Sequence, residues 1–287
     1  MVQIWSALAA KDTRLFCAAM NRFPAKPSTT AWGTYLRCHD DIGWAIDDGD
    51  AASVGLEGWA HRSFLSDYYA GAYPMSDARG MVFQENLATG DRRISGTAAS
   101  LAGIESALNS GDDQHLDLAV RRFLLAHQIM LGFGGLPLLY MGDEFALTNF
   151  YDFVDNPDHA DDNRWVHRPP MRWDIAERRN QPGTVEHRVW HALRHMIAVR
   201  ASLPAMDASV ESEIADPVNP AVLVFLRRAA TQTLVGLYNV TPNRQALPRW
   251  TVPLADDAWD ALTDETPLTP GETWLEPYQC RWLVQQT

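Results

Sequence analysis

Residues 35–44 of this chain read YLRCHDDIGW. The apolar residues from Trp32 to Leu36 predict a short buried strand, which delivers His39, Asp40 and Asp41 side by side into the loop at its C-terminal end. Neighbouring carboxylates suit the cleavage of a glycosidic bond through an oxocarbenium-like state, in which a carboxylate acts as nucleophile, acid/base or charge stabiliser. A capped turn with a hydrogen-bonded Asp pair is the alternative that the local sequence leaves open.

A second unit of the same kind follows at residues 114–144. A predicted helix over 114–131 ends at Gly132–Gly135, and the apolar run 136–141 is typical of a buried parallel strand. The polar turn Gly142-Asp143-Glu144 follows that strand. Two strand–loop–helix units with polar residues at the strand ends are typical of a (β/α)8 barrel. Since two strands cannot close a barrel of eight, the sequence predicts only part of one.

The other regions complete the predicted architecture, which is α/β followed by all-β. Helices are predicted over 1–23, near 58–70 and over 184–202, and a long acidic loop over 148–182. After Pro204, short β-type runs at 221–226, 233–238 and 280–283 favour a small sandwich. The predicted organisation is a barrel helix and strand (1–43), a lid-like insertion (44–113), a helix–strand–helix unit with a long loop (114–204) and a C-terminal β-sandwich (205–287).

Composition excludes several classes of function. A net charge of −12 argues against nucleic acid or an anionic membrane surface as the main partner. The three cysteines are far apart and predict neither a disulfide framework nor a metal site. No signal peptide is visible, and no run approaches the roughly 18 apolar residues of a membrane span. The sequence therefore predicts a soluble, cytoplasmic protein.

Two patterns raise the question of a metal ion. His187, His191 and His195 recur on one helical face, but without a committed carboxylate the spacing favours an ordinary polar helix face. The acidic residues of the loop 148–182 lack the spacing and the glycine of a calcium loop. The sequence therefore predicts no metal and no cofactor.

Five blocks of sequence carry a resemblance to a known family. They read MVQIWSALA, AWGTYLRCHDDIGW, QENLATGDRRISGTAAS, GGLPLLYMGDE and DDNRWVHRP. In this order they resemble the amylosucrases and bacterial sucrose hydrolases of the α-amylase superfamily (glycoside hydrolase family 13). The resemblance covers essentially the whole chain and places the His39-Asp40 pair at the end of the seventh barrel strand.

The resemblance implies a role for each residue that matches a family motif. Asp40 matches the carboxylate that stabilises the transition state, and His39 matches a histidine that contacts the same glucosyl unit. Asp41 and Arg93 match residues that hold the neighbouring fructosyl or acceptor group.

Two further arginines are implied by the same resemblance. Arg62 matches an arginine further along the acceptor path. Arg164 matches an arginine whose salt bridge closes the far end of the glucosyl pocket, with a carboxylate that lies outside this chain. Such a closed pocket favours a small substrate such as sucrose.

The resemblance also implies what this chain does not supply. In the family the nucleophilic Asp and the acid/base Glu lie on the fourth and fifth barrel strands, which have no counterpart here. The expected parent enzyme cleaves sucrose with retention, releases fructose and passes glucose to an α-1,4-glucan or to water. The alternatives are a sucrose hydrolase, an α-amylase-type hydrolase, an incompetent truncated chain, or a half that needs a separate N-terminal half.

Overall fold

The computed structural model describes residues 1–27, 29–268 and 270–287. The elements up to residue 133 are α1 (Val2–Ala10), α2 (Arg14–Asn21), β1 (Gly33–Tyr35), α3 (Asp48–Ser53), α4 (Gly58–Tyr69), β2 (Met81–Phe83), β3 (Arg93–Ser95), α5 (Ala98–Leu101), α6 (Ile104–Ser110) and α7 (Asp113–Phe133). The elements that follow are β4 (Leu136–Leu138), α8 (Trp173–Ala176), α9 (Val185–Ser202), β5 (Glu213–Ile214), β6 (Val222–Ala229), β7 (Gln232–Asn239), β8 (Gln245–Pro248), β9 (Trp259–Asp260), β10 (Glu272–Leu275) and β11 (Cys280–Gln286).

The long helices begin at side chains that cap them. Glu57 accepts hydrogen bonds from the first amides of α4, Asp112 does the same for α7, and Thr184 for α9. Such caps satisfy backbone donors that have no partner within the helix. The three helices predicted near 58–70, over 114–131 and over 184–202 are confirmed.

The prediction of one continuous helix over 1–23 is wrong. Lys11 adopts a left-handed conformation (φ 56°), and a new helix starts at Arg14. The amide and the hydroxyl of Thr13 both donate to the carbonyl of Pro220, at 2.8 and 3.0 Å. The break is therefore fixed by a contact with a residue far along the chain.

Strands β1 and β4 form a parallel pair in which Gly33 lies opposite Leu136 and Tyr35 lies opposite Leu138. Both are shorter than predicted (32–36 and 136–141), because the chain leaves the sheet after three residues. The structure is a mixture of helices and sheets, and its described residues contain no closed barrel.

The C-terminal region contains two antiparallel sheets, of order β5-β6-β7-β11-β9 and β10-β8. Side chains such as Val224, Leu237, Leu247 and Leu275 form an apolar core between them. The opposite face of the larger sheet packs into the main core with helix α7. The β-type runs predicted at 221–226, 233–238 and 280–283 are confirmed, in longer strands.

Helix α7 ends where the sequence predicts, at its glycines. Gly134 has a φ of 101°, and a Cβ there would lie 1.8 Å from Nη1 of Arg227. That nitrogen donates to the carbonyl of Phe133 at 2.8 Å, so the arginine closes the helix end. Among the described helices, none combines the length and apolar composition needed to cross a membrane.

Candidate active site

The loop after β1 brings Asp40 against Arg164, which lies on the 3₁₀ turn Asn163–His167. Nη1 of Arg164 donates to Oδ1 of Asp40 at 2.9 Å, while its Nε and Nη2 donate to Asp162 at 2.8 Å. The Asp40 side chain is 50% exposed and that of Arg164 31% exposed. Arg164 thus bridges two carboxylates of this chain, whereas the sequence predicts a partner outside it.

Asp41 and Arg93 are brought together by a backbone bridge. Ile42 and Ile94 exchange two amide–carbonyl hydrogen bonds, of 2.8 and 3.1 Å. Asp41 and Arg93 directly precede these two isoleucines, so their side chains lie on the same side of the bridge. Nη1 of Arg93 is 3.5 Å from Oδ2 of Asp41. Asp41 is buried, and within the described residues its Oδ1 has no hydrogen bond.

The environment shifts the pKa values of these adjacent carboxyls in opposite directions. The hydrogen bond from Arg164 lowers the pKa of Asp40 to about 2, so this carboxyl stays ionised. Burial, together with the neighbouring Asp40, raises the pKa of Asp41. Opposed shifts in a pair are typical of sites where one group carries charge and the other handles protons. Asp40 is the group that can stabilise a developing positive charge.

The other two predicted residues lie at the margins of this cluster. The side chain of His39 is exposed, and its carbonyl accepts a hydrogen bond from Nε of Arg168 at 2.7 Å. Arg62 donates to Asp48 at 2.7 Å and to the carbonyl of Ile46 at 3.1 Å. These contacts leave Arg62 outside the pair of carboxyls.

Aromatic side chains in the segment 44–73 differ in whether they are exposed enough to meet a sugar ring. Trp44 is buried and stacks on Tyr69 at 5.4 Å, so it is a packing residue. Trp59 is 50% exposed and is held by its Nε1, which donates to the carbonyl of Thr89 at 2.7 Å. Tyr73 is also exposed.

Sequence reasoning assigns no role to Arg37 or His167, which are both buried beneath the site. Arg37 donates from Nη2 to the carbonyl of Asp40 at 2.9 Å. Arg37 could have been noticed because it lies in the YLRCHDD run, and His167 because it lies in DDNRWVHRP. Neither signal reveals that the side chain is buried.

The residues weighed as metal ligands have other contacts. The rings of His187 and His191 lie 4.3 Å apart, and Nε2 of His195 donates to the carbonyl of Leu262. In the part of the chain that the structure describes, no group of three or more His, Cys, Asp or Glu is placed to hold a metal ion.

No family model matches the chain. Among solved structures, that of AmyP in complex with maltose aligns with a TM-score of 0.47 and 14% identity, over 58% of this chain and 35% of AmyP.

The curated proteins that are similar in sequence include two glucosylglycerate phosphorylases. The protein of Escherichia coli (strain K12) is 25% identical over 279 residues, which are 96% of this chain and 45% of that protein. The protein of Allomeiothermus silvanus is 24% identical over 176 residues, which are 61% of this chain and 29% of that protein. The matched segments span less than half the length of either relative.

Proposed function

We propose that this chain is the C-terminal portion of a retaining α-glucosyl transferase or hydrolase of the α-amylase superfamily, and that its substrate is sucrose. The observation that carries the proposal is the cluster at the end of β1. Asp40, Asp41, Arg93 and Arg164 come from three separate segments and form two ion pairs, Arg164 with Asp40 and Arg93 with Asp41. Ionised carboxylates and guanidinium groups form strong charge-assisted hydrogen bonds with sugar hydroxyls.

In this proposal β1 and β4 are the seventh and eighth strands of a (β/α)8 barrel. Their parallel pairing, with polar loops at their C-terminal ends, supports that assignment. The insertion over 44–113 contributes Arg93, and the region 205–287 is the C-terminal β-sandwich. Asp40 stabilises the oxocarbenium-like state, and Asp41, Arg93 and Arg62 face the fructosyl or acceptor side.

Phosphorolysis is the second candidate reaction, and the sequence similarity to glucosylglycerate phosphorylases favours it. In this reaction inorganic phosphate takes the glucosyl group and glucose 1-phosphate is released. The glucosyl side of the site would be the same in both reactions. The two candidates differ in the leaving group and in the acceptor.

We also propose that the nucleophile and the acid/base come from an N-terminal portion that docks on the β1–β4 pair. The pair has only two strands, and the side chains of Leu136 and Leu138 are each 59% exposed. A cavity of about 880 Å³ opens beside it, between Tyr35 and helix α2. The alternative is a non-catalytic chain that binds carbohydrate.

The deciding experiment offers the purified chain three mixtures: sucrose, sucrose with phosphate, and glucosylglycerate with phosphate. Fructose and glucose 1-phosphate are assayed, with and without a polypeptide that carries the first six barrel strands. We expect product only in the complemented mixture, and fructose from sucrose. If glucose 1-phosphate forms from glucosylglycerate and no product forms from sucrose, phosphorolysis becomes the proposed reaction and sucrose is not the substrate. Product from the isolated chain would overturn the assignment of the missing carboxylates.

Two variants control this assay. Asp40→Asn removes the charge at the proposed stabiliser. Asp174→Asn changes an exposed aspartate of helix α8 that pairs with Arg172, the residue just before the helix. We expect loss of product only with the first variant; equal rates in both would contradict the proposed role of Asp40.

A further inference from the structure

The peptide groups of Gly96, at the end of β3, are held from two sides by buried side chains. Nε of Arg37 donates to the carbonyl of Gly96 at 2.9 Å. The amide of Gly96 donates to Nδ1 of His167 at 3.2 Å. Three segments are thereby joined: the loop after β1, strand β3, and the 3₁₀ turn that carries Arg164.

Arg37 also contacts the backbone that carries Asp40. Arg37 donates from Nη2 to the carbonyl of Asp40 at 2.9 Å. His167 acts on this loop through Gly96, whose peptide groups bond to both side chains. The neighbouring Arg168 holds the carbonyl of His39. The Asp40 loop is therefore fixed from below by groups that do not touch its carboxylate.

We propose that Arg37 and His167 are positioning residues that hold Asp40 in reach of Arg164 and of the reacting glucosyl group. The role in catalysis rests on the proposed function. The hydrogen-bonded group of Arg37, Gly96 and His167, called the clamp below, does not depend on the proposed function.

The burial of Arg37 favours this role over simple filling of space. Its side chain is 1% exposed, burial lowers its pKa, and its Nη1 has no hydrogen bond among the described residues. Burying a guanidinium is unfavourable, and an apolar side chain of similar size is often as stable or more so. What an apolar residue does not supply is a pair of donors in fixed geometry, directed at Gly96 and at Asp40.

The protonation state of His167 fits the clamp. Burial, and next the charge of Arg37, lower its pKa to about 3, so the ring is neutral at pH 7. In a neutral imidazole only one nitrogen accepts a hydrogen bond, and here it is Nδ1, which receives the amide of Gly96. The proton is therefore on Nε2.

The test measures the pKa of the Asp40 carboxyl by carbon-13 NMR in the full chain, with the resonance assigned by Asp40→Asn. A well-placed Asp40 bonded to Arg164 has a pKa of about 2, and a displaced one approaches 3.8. We expect His167→Leu and Arg37→Met to raise this pKa by about one unit or more. His167→Asn, whose amide oxygen replaces Nδ1 as acceptor, should restore it.

His61→Leu is the matched control. His61 is also buried and bonds through its ring to Ser6, away from the clamp. We expect it to lower stability without moving the pKa of Asp40. If His167→Leu or Arg37→Met destabilises the chain but leaves that pKa at about 2, the positioning role is wrong. Should neither variant fold, Arg37→Lys and His167→Asn decide in the same way. The single ammonium of a lysine lacks the fork that directs two nitrogens at Gly96 and Asp40, so Arg37→Lys should shift the pKa of Asp40 and His167→Asn should not.

A second readout applies to the form that turns over substrate. His167→Leu should lower kcat about 100-fold with little change in KM, because misplacement affects the transition state more than substrate binding. An increase in KM alone would contradict the proposal. The NMR result does not depend on turnover, so failure of the clamp and failure of the proposed function are distinguishable.

Discussion

Arg164 and Asp40, 124 residues apart in the sequence, are joined by a 2.9 Å hydrogen bond between Nη1 and Oδ1. The same guanidinium holds Asp162 through two of its other nitrogens. Asp40 is therefore ionised but partly neutralised. A carboxylate in this state stabilises a cationic sugar less than a free one, so substrate binding should loosen or redirect this bond.

Replacing Arg164 by Gln should raise the pKa of Asp40 from about 2 toward 3.8, since the hydrogen bond from Arg164 is the largest cause of the lowered pKa. Because the folded pKa lies below the unfolded one, the pair stabilises the protein above about pH 4 and loses this effect as pH falls toward 2. Carbon-13 NMR titration of Asp40 measures the shift. The control is Arg172→Gln, at an exposed arginine paired with Asp174, which should leave Asp40 unchanged.

Asp40→Asn should lower kcat by about 10²–10³-fold in the form that turns over substrate, because the amide keeps the shape and removes the charge. The side chain is half exposed, so folding should change little. Rates and thermal unfolding are measured together. A variant with unaltered kcat would show that Asp40 does not stabilise the transition state.

His167 predicts a pH dependence of stability. Its folded pKa of about 3 is below its unfolded value of 6.5, so the unfolded state binds more protons between these values. The free energy of unfolding should therefore fall as pH decreases from 6.5 toward 3, by about 3–5 kcal/mol in the limit.

Chemical denaturation from pH 7 to pH 4 tests this, with His167→Asn lacking the titrating group. The difference in the free energy of unfolding between the wild type and His167→Asn should change with pH. His195→Asn, at an exposed histidine, should follow the wild type. Parallel curves for wild type and His167→Asn would show that His167 is not buried in its neutral form.

The exposed strip on β4 predicts binding of an apolar dye. Leu136 and Leu138 point to one side of the strand and lie close in sequence to the exposed Leu139 and Met141. Groups of exposed apolar side chains mark interaction surfaces. The double variant Leu136→Ser/Leu138→Ser should reduce dye fluorescence several-fold without loss of stability.

Leu87→Ser/Leu108→Ser is the matched control, since these leucines are exposed but separated in sequence. It should leave the dye signal nearly unchanged. Binding of the N-terminal polypeptide should also suppress the signal of the wild type. If both double variants reduce the dye fluorescence equally, the proposal that the N-terminal portion docks on β4 is wrong.

Local patterns in the sequence predict much of this fold. Helices α4, α7 and α9 follow from apolar periodicity and from caps at their first residues. The break between α1 and α2 does not, because it depends on the bond from Thr13 to Pro220. The apolar periodicity around Thr13 does not reveal a contact with a residue so far along the chain.

The contacts within the candidate site could be predicted only in part from the sequence. The sequence blocks single out Asp40, Asp41, Arg93 and Arg164, and the structure brings them together as two ion pairs. Sequence gives no indication that Arg164 pairs with Asp40. Nor does it predict that Arg37 is buried, because arginine is rarely buried and only tertiary packing decides where it is.

The main core contains Trp5 of α1 and also Trp282 of β11. During translation the first of these leaves the ribosome while the second is still to be made, and at 5–20 residues per second the interval is about 15 to 55 s. For the later part of that time the apolar face of α7, which packs on β7 and β11, has no sheet to cover it. The nascent chain should therefore depend on chaperones until its last strand has been synthesised.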